Sequence, residues 1–210
     1  MHLHLHESFT SRVAEGLENG TLDAGILRDG DAMDMLHVTT LFSEPYVAVL
    51  PVAHACARQK TISPGILRDE PFVYYPRSAG GRAYEKPLIL FEQHGFRPQI
   101  VQEASHWLTI LRLVGAGLGV SVAPACVQRI ASPEVVCIPM RGARVVSDIE
   151  LARVVGDARP IVEHFAQIAS SRVCADPSRI GRASHPETMQ RLGRESATHK
   201  VRKALRSGED

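Results

Sequence analysis

Residues Leu111–Pro124 read LRLVGAGLGVSVAP, and the reading of this stretch decides the fold class. It has the form of a helix end, a glycine-rich turn and a short buried strand stopped by proline. Leu108, Leu111 and Val114 recur at three-residue spacing on one helix face, with Arg112 on the other. Gly115 and Gly117 can end the helix, because glycine takes left-handed backbone angles without a side-chain clash. Val120 to Ala123 is small, apolar and partly β-branched, the composition of a parallel strand covered on both faces. Glycines at 115, 117 and 119 invite a nucleotide-binding reading. That site needs strand, turn and then helix, so that helix amides meet the pyrophosphate. Here the helix comes first, and the order reads as a tight helix-to-strand turn.

The surrounding chain is compatible with a folded core. Its 210 residues suit one large domain or two small lobes, and 22% charged with 44% hydrophobic residues is ordinary for a globular protein. Arg112 interrupts the best apolar run, so no segment reaches membrane-spanning length, and MHLHLHESFTSR lacks a secretory pattern. Cys56, Cys126, Cys137 and Cys174 are scattered without a C-x-x-C pair, which reads as reduced thiols in a cytosolic protein. Residues 1–171 hold 15 Lys and Arg against 18 Asp and Glu, a net of −3, while 172–210 hold 9 against 5, a net of +4. A mildly acidic body is a poor nucleic-acid binder by charge alone.

Upstream, His2, His4 and His6 alternate with Leu3 and Leu5 at strand period. Three imidazoles on a flat strand rarely converge on a metal, so an ordinary strand or a stretch close to a chain start is expected and no metal is assigned. Thr10 or Ser11 caps a helix to about Asn19, with Val13 and Leu17 inward, and Leu22–Leu27 follows as a strand. Arg28 falls at that strand's C-terminal end, where open α/β sheets meet ligands, although a solvated loop arginine fits equally. Residues 29–37 read as polar loop, Tyr46–Leu50 as a buried strand halted by Pro51, and Phe72–Tyr75 as another ending at Pro76. RSAGGRAY then leads into a helix over Ala83–His94; its free amides with Arg77 and Arg82 make a carboxylate site or a surface loop. Ile100–Gln102 is a short strand, and Ser105, His106 and Trp107 sit at the next strand-to-helix turn. Trp107 reads as a ligand-stacking ring or as core. Beyond Pro124, a short helix carries Val127 and Ile130, and strands cover Val135–Ile138 and Ile149–Val155. Pro160 opens a helix with Ile161, Phe165 and Ile168 on one face. From Arg172 the periodicity dissolves, which predicts a basic, disordered tail over 172–210 with at most a short helix near Lys200–Leu205.

The order of LENGTLDAGI, YVAVLPVAHACA, GFRPQIVQEA and LVGAGLGVSVAPA resembles the effector-binding domain of LysR-type transcriptional regulators, over about residues 3–170. FVYYP at 72–76 and PACVQRI at 124–130 are also similar to members sensing aromatic acids or their ring-cleavage products. The resemblance implies an α/β, periplasmic-binding-protein-like (type II) fold of two lobes with a ligand cleft. The chain then crosses twice, near Phe42–Glu44 and Ser147–Ile149. Lobe I comprises 1–43 and 149–171, and lobe II 44–148. It further implies a small organic carboxylate effector, contacted by Thr10, Arg28, Gly81, Arg82, Ser105, His106 and Trp107. Arginine suits a carboxylate because its planar donors can engage both oxygens. The family assembles as dimers or tetramers and binds DNA through an N-terminal helix-turn-helix that this sequence does not contain. Its first strand and helix are expected before His2, so the chain reads as a truncated frame or fragment, unable by itself to bind an operator and with a sheet edge unpaired.

A free-standing solute-binding protein of similar fold is the alternative, and it would need export. No cofactor and no membrane partner are expected. An enzyme is not expected either: no G-x-S-x-G, metal spacing or nucleophile–base pair is found, and His106 beside Ser105 does not make a triad.

Overall fold

In a computed structural model, residues 3–31 and 34–175 are described. Their organising element is a 16-residue strand, β2 (Leu36–Pro51), which passes from one lobe into the other. In its second half, Tyr46, Ala48 and Leu50 enter one apolar cluster while Val49 enters another on the opposite face. Burial on both faces explains why YVAVL lacks polar alternation. Its first half, HVTTLFSE, is mostly exposed, a strand with solvated faces, and β2 begins at Leu36, inside the end of the loop expected over 29–37.

The return crossing is β7 (Val146–Val154), antiparallel to β2 from Leu36↔Val154 to Pro45↔Val146 with a bulge between Thr40 and Phe42. The expected crossings face each other there, Phe42 opposite Ile149 and Glu44 opposite Ser147. In lobe I, β1 (Gly25–Arg28) pairs with the other edge of β7. Helix α1 (Thr10–Glu18) covers this sheet, with Val13, Ala14 and Leu17 buried against Leu27, Leu36 and Ala152. In lobe II, β5 (Ser121–Pro124) and β6 (Val135–Pro139) pair antiparallel with the second half of β2. The parallel pair β3 (Pro71–Tyr74) and β4 (Gln99–Glu103) joins them through Val73 N–H to Val120 O and Val120 N–H to Pro71 O, both 2.8 Å. The architecture is the expected two-lobed α/β fold.

The glycine-rich stretch is a helix-to-strand turn. Helix α4 (Trp107–Gly115) ends at Ala116, and Gly117 has φ +83°. Gly119 is required by close approach, since a Cβ there would lie 2.2 Å from Pro71 O. Two details differ from expectation. Strand β5 is antiparallel to β2, and the parallel contact is limited to Val120 opposite Phe72. Leu108 is 60% exposed, and the buried face is Ile110, Leu111 and Val114. Three-residue steps drift by roughly 60° each around a helix, so Leu108 and Val114 cannot share a narrow face.

Other boundaries shift for local reasons. Residues 3–9 form no strand among the described residues, and Leu3 and Leu5 are exposed; alternation assigns faces but supplies no hydrogen-bonding neighbour. The expected strand Leu22–Leu27 begins only at Gly25, and the one expected at Ile149 begins at Val146. The helix expected over Ala83–His94 breaks into α2 (Gly81–Glu85), a 3₁₀ turn at Lys86–Leu88 and α3 (Ile89–Glu92). Pro87 lacks the N–H that would continue α2. In α5 (Pro160–Ala175), Val162 is buried while Ile161 and Ile168 are exposed, so the packed face is rotated from the expected one. Ile130 is likewise exposed, beside buried Val127. His2 and the tail from residue 176 lie outside the described residues. Among the described residues, no helix is long and apolar enough to cross a membrane.

Candidate functional site

Strand β1 delivers Arg28 and then Asp29 to the seam between the lobes. Asp29 is 1% exposed and takes a left-handed backbone angle, φ +48°, tolerated best by Asn, Asp and Gly. Its amide donates to Asp148 O at 2.9 Å. Its Oδ2 accepts from Tyr46 Oη and Ser147 Oγ, both at 2.8 Å. Its Oδ1 accepts from Asp148 N at 2.8 Å and from Lys86 Nζ at 2.6 Å. Four donors thus satisfy one buried carboxylate, which compensates its desolvation. Burial and the Asp29 charge push the Tyr46 phenol far above its ordinary range, so Tyr46 remains a donor.

Arg28 is engaged within the protein. Nη1 donates to Glu44 Oε1 at 2.8 Å and to Ser147 Oγ at 2.7 Å, while Nη2 lies 3.5 Å from Cys126 Sγ. Glu44 Oε2 accepts from the Cys126 amide at 2.6 Å. Burial raises the Cys126 thiol above its ordinary value, and nearby Arg28 opposes that shift. Thr10, expected to cap α1, makes no capping bond; its hydroxyl donates to Arg28 O at 3.1 Å and accepts from Arg28 N at 3.3 Å. It fixes the backbone that carries the arginine.

The Gly80–Arg82 turn closes on the same seam. Gly80 packs on Thr10, where a Cβ would meet Thr10 Cβ at 3.4 Å, and Ser11 Oγ donates to Ser78 O at 3.0 Å. Beside Gly81, the Arg82 amide donates to Asp31 Oδ1 at 2.8 Å and Nη1 to Gly30 O at 2.9 Å. The guanidinium is also 3.6 Å from Glu150 and 4.0 Å from Asp148. Glu150 Oε2 in turn accepts the Gly30 amide at 2.7 Å. Asp148 bonds Lys86 and Ser43. Desolvation alone would raise its pKa, but these donors and the Lys86 and Arg82 charges outweigh it and hold the carboxyl below its ordinary value.

Ser105 and His106 are exposed, and neither makes a side-chain hydrogen bond among the described residues. Trp107 is half-buried and meets Tyr75 edge-on, centroids 5.5 Å apart. Tyr75 lies 4.3 Å from Tyr74, bonds Ala83 O and falls within the fields of Asp29 and Arg28. Burial is the largest influence on its phenol, which is raised far above its ordinary value. The structure therefore gathers Thr10, Arg28, Gly81 and Arg82 at one seam, with Trp107 connected through Tyr75. Asp29, Glu44, Lys86, Asp148 and Glu150 are not legible as members from sequence, because they meet Arg28 and Arg82 only through folding. Two cavities lie elsewhere and share Arg153: one of about 290 Å³ between His37 and the end of β7 with residues 155–158, and one of about 190 Å³ between Thr39, Leu151 and α5. Among the described residues, no group of three His, Cys, Asp or Glu side chains is placed to hold a metal.

Residues 1–173 match the family model described as the LysR substrate binding domain. The HTH-type transcriptional regulator AlsR of Bacillus subtilis is 31% identical over 168 residues, which is 80% of this chain and 56% of that protein. This chain therefore spans little more than half of that relative's length. The effector-binding domain of a BenM variant superposes with a TM-score of 0.74 at 23% identity, covering 82% of this chain and 80% of the other. The effector-binding domain of QuiR in complex with shikimate gives 0.69 at 18% identity, covering 80% and 79%.

Proposed function

Because this chain belongs to the LysR substrate-binding-domain family, we propose that it is the effector-sensing part of a transcriptional regulator and that a small organic carboxylate enters its seam at Arg28. The observation that supports this reading most is the placement of Arg28: a half-buried guanidinium between the lobes, at the end of β1, with the Tyr75–Trp107 aromatic pair close by. A charged fork beside aromatic faces suits a planar acid, such as an aromatic acid or its ring-cleavage product. The lobes would divide at 1–43 with 149–171 and at 44–148, so that a ligand touching both biases their relative angle. The role is binding without turnover, in the cytoplasm. DNA contact would belong to a helix-turn-helix part of a longer, oligomeric protein.

The test is a thermal melt of the chain with and without benzoate, shikimate and small dicarboxylates. A ligand that binds only the folded form raises the midpoint with concentration. A cooperative melt that none of these acids moves, even at millimolar concentration, argues against the reading.

A further inference from the structure

Glu44 stands on β2 opposite Ser147 of β7, where the two strands cross between the lobes. Its oxygens are used separately, one on the Arg28 guanidinium at 2.8 Å and the other on the Cys126 backbone amide at 2.6 Å. A carboxylate held by one guanidinium and one amide, brought from β1 and from the turn after β5, is bonded as a small acid ligand would be.

The neighbouring carboxylates are committed differently. Asp29 accepts four bonds within the seam, Glu150 secures the Gly30 amide, and Asp148 bonds Lys86 and Ser43. The seam sets Arg28, Arg82 and Lys86 against Asp29, Glu44, Asp148 and Glu150, so it has no surplus of positive charge. An entering anion meets net repulsion unless one carboxylate leaves. Of the four, Glu44 is the one whose departure frees Arg28 without orphaning Asp29 or the Gly30 amide. The Glu44 side chain is 12% exposed, so it already touches solvent at the edge of the seam.

We propose that Glu44 is an internal competitor for the effector, occupying the anion seat at Arg28 and the Cys126 amide and yielding both to a ligand carboxylate. The proposal rests on the effector-sensing reading above and restricts the ligand at that site to acids that replace a glutamate carboxylate. Since Glu44 lies on the crossing strand, ligand entry also releases the tether between β2 and the turn after β5.

The test is calorimetric titration of the full 210-residue chain and of Glu44→Gln with benzoate, shikimate and neutral benzyl alcohol. Glutamine keeps the shape and removes the charge. The expected result is that the acid Kd falls by about tenfold or more in the variant, the scale of one charge-assisted bond, while benzyl alcohol binding is unchanged. Acid binding that appears only in the variant gives the same support. If the wild type binds an acid and Glu44→Gln binds it equally or more weakly, the competitor role is overturned and the effector-sensing reading stands. Acid binding by neither protein overturns the proposal and counts against that reading too. If the variant fails to fold, the wild type still decides by NMR: saturating benzoate must shift the Cys126 backbone amide resonance, and an unmoved resonance overturns the proposal.

Discussion

Lys86 Nζ lies 2.6 Å from Asp29 Oδ1, joining the 3₁₀ turn after α2 to the residue that follows β1. Both side chains are largely buried, and Lys86 also bonds Asp148. Removing one partner of a buried pair leaves the other desolvated and uncompensated. Lys86→Met should therefore cost about 3 kcal/mol in urea unfolding. A loss below about 1 kcal/mol, the range of an exposed pair, would show that the seam relaxes to rehydrate Asp29.

Arg28→Ala should weaken binding of a carboxylate effector by about 1.5–3 kcal/mol, the usual worth of a charge-assisted hydrogen bond. It also strands Glu44, so the melting midpoint should fall even without ligand. Unchanged affinity in a titration removes Arg28 from the binding site.

Two glycines of the same turn should respond differently. At Gly117, φ is +83° and nothing lies within 4 Å of where an added methyl carbon would sit, so Gly117→Ala should cost only the left-handed penalty of about 1–2 kcal/mol. At Gly119 the added carbon would meet Pro71 O at 2.2 Å, disrupting the bonds between Pro71, Val73 and Val120. Gly119→Ala should cost more than about 3 kcal/mol. Equal losses measured by denaturation would mean that backbone angle, and not contact, governs the turn.

Acid sensitivity should carry an Asp148 component. Its folded pKa is lowered from 3.8, because the donors and cations around it outweigh desolvation. The folded state therefore prefers the ionised form. The resulting stability is present above 3.8 and is lost as pH falls through the lower, folded value. Asp148→Asn should be less stable than wild type near neutrality, and the two should converge below that window. Parallel stability curves from pH 5 to 2 would exclude this assignment.

What can be read from sequence follows the range of the interactions. YVAVLP and SVAP announce buried strands, because each carries its own composition and its own proline stop. The first half of β2 does not, since HVTTLFSE becomes a strand through pairing with β7 more than a hundred residues later. Arg28 and Arg82 are legible as site candidates because they fall at element ends. Their partners are not: Glu44, Asp148 and Glu150 look like ordinary surface acids until the crossing strands bring them together. Thr10 is legible by position but not by role, since its hydroxyl serves the backbone of Arg28 instead of the helix end.

The four donors on Asp29 come from residues 46, 86, 147 and 148, segments that meet only once both crossing strands and α2 are docked. Until the last of them arrives, burying that charge is unfavourable, and the carboxylate keeps the unfinished seam open to water. Asp29 is therefore expected to gather its bonds late in assembly, after the folding barrier. Defects in its donors would then be felt in how quickly the native chain comes apart, and hardly in how quickly it forms.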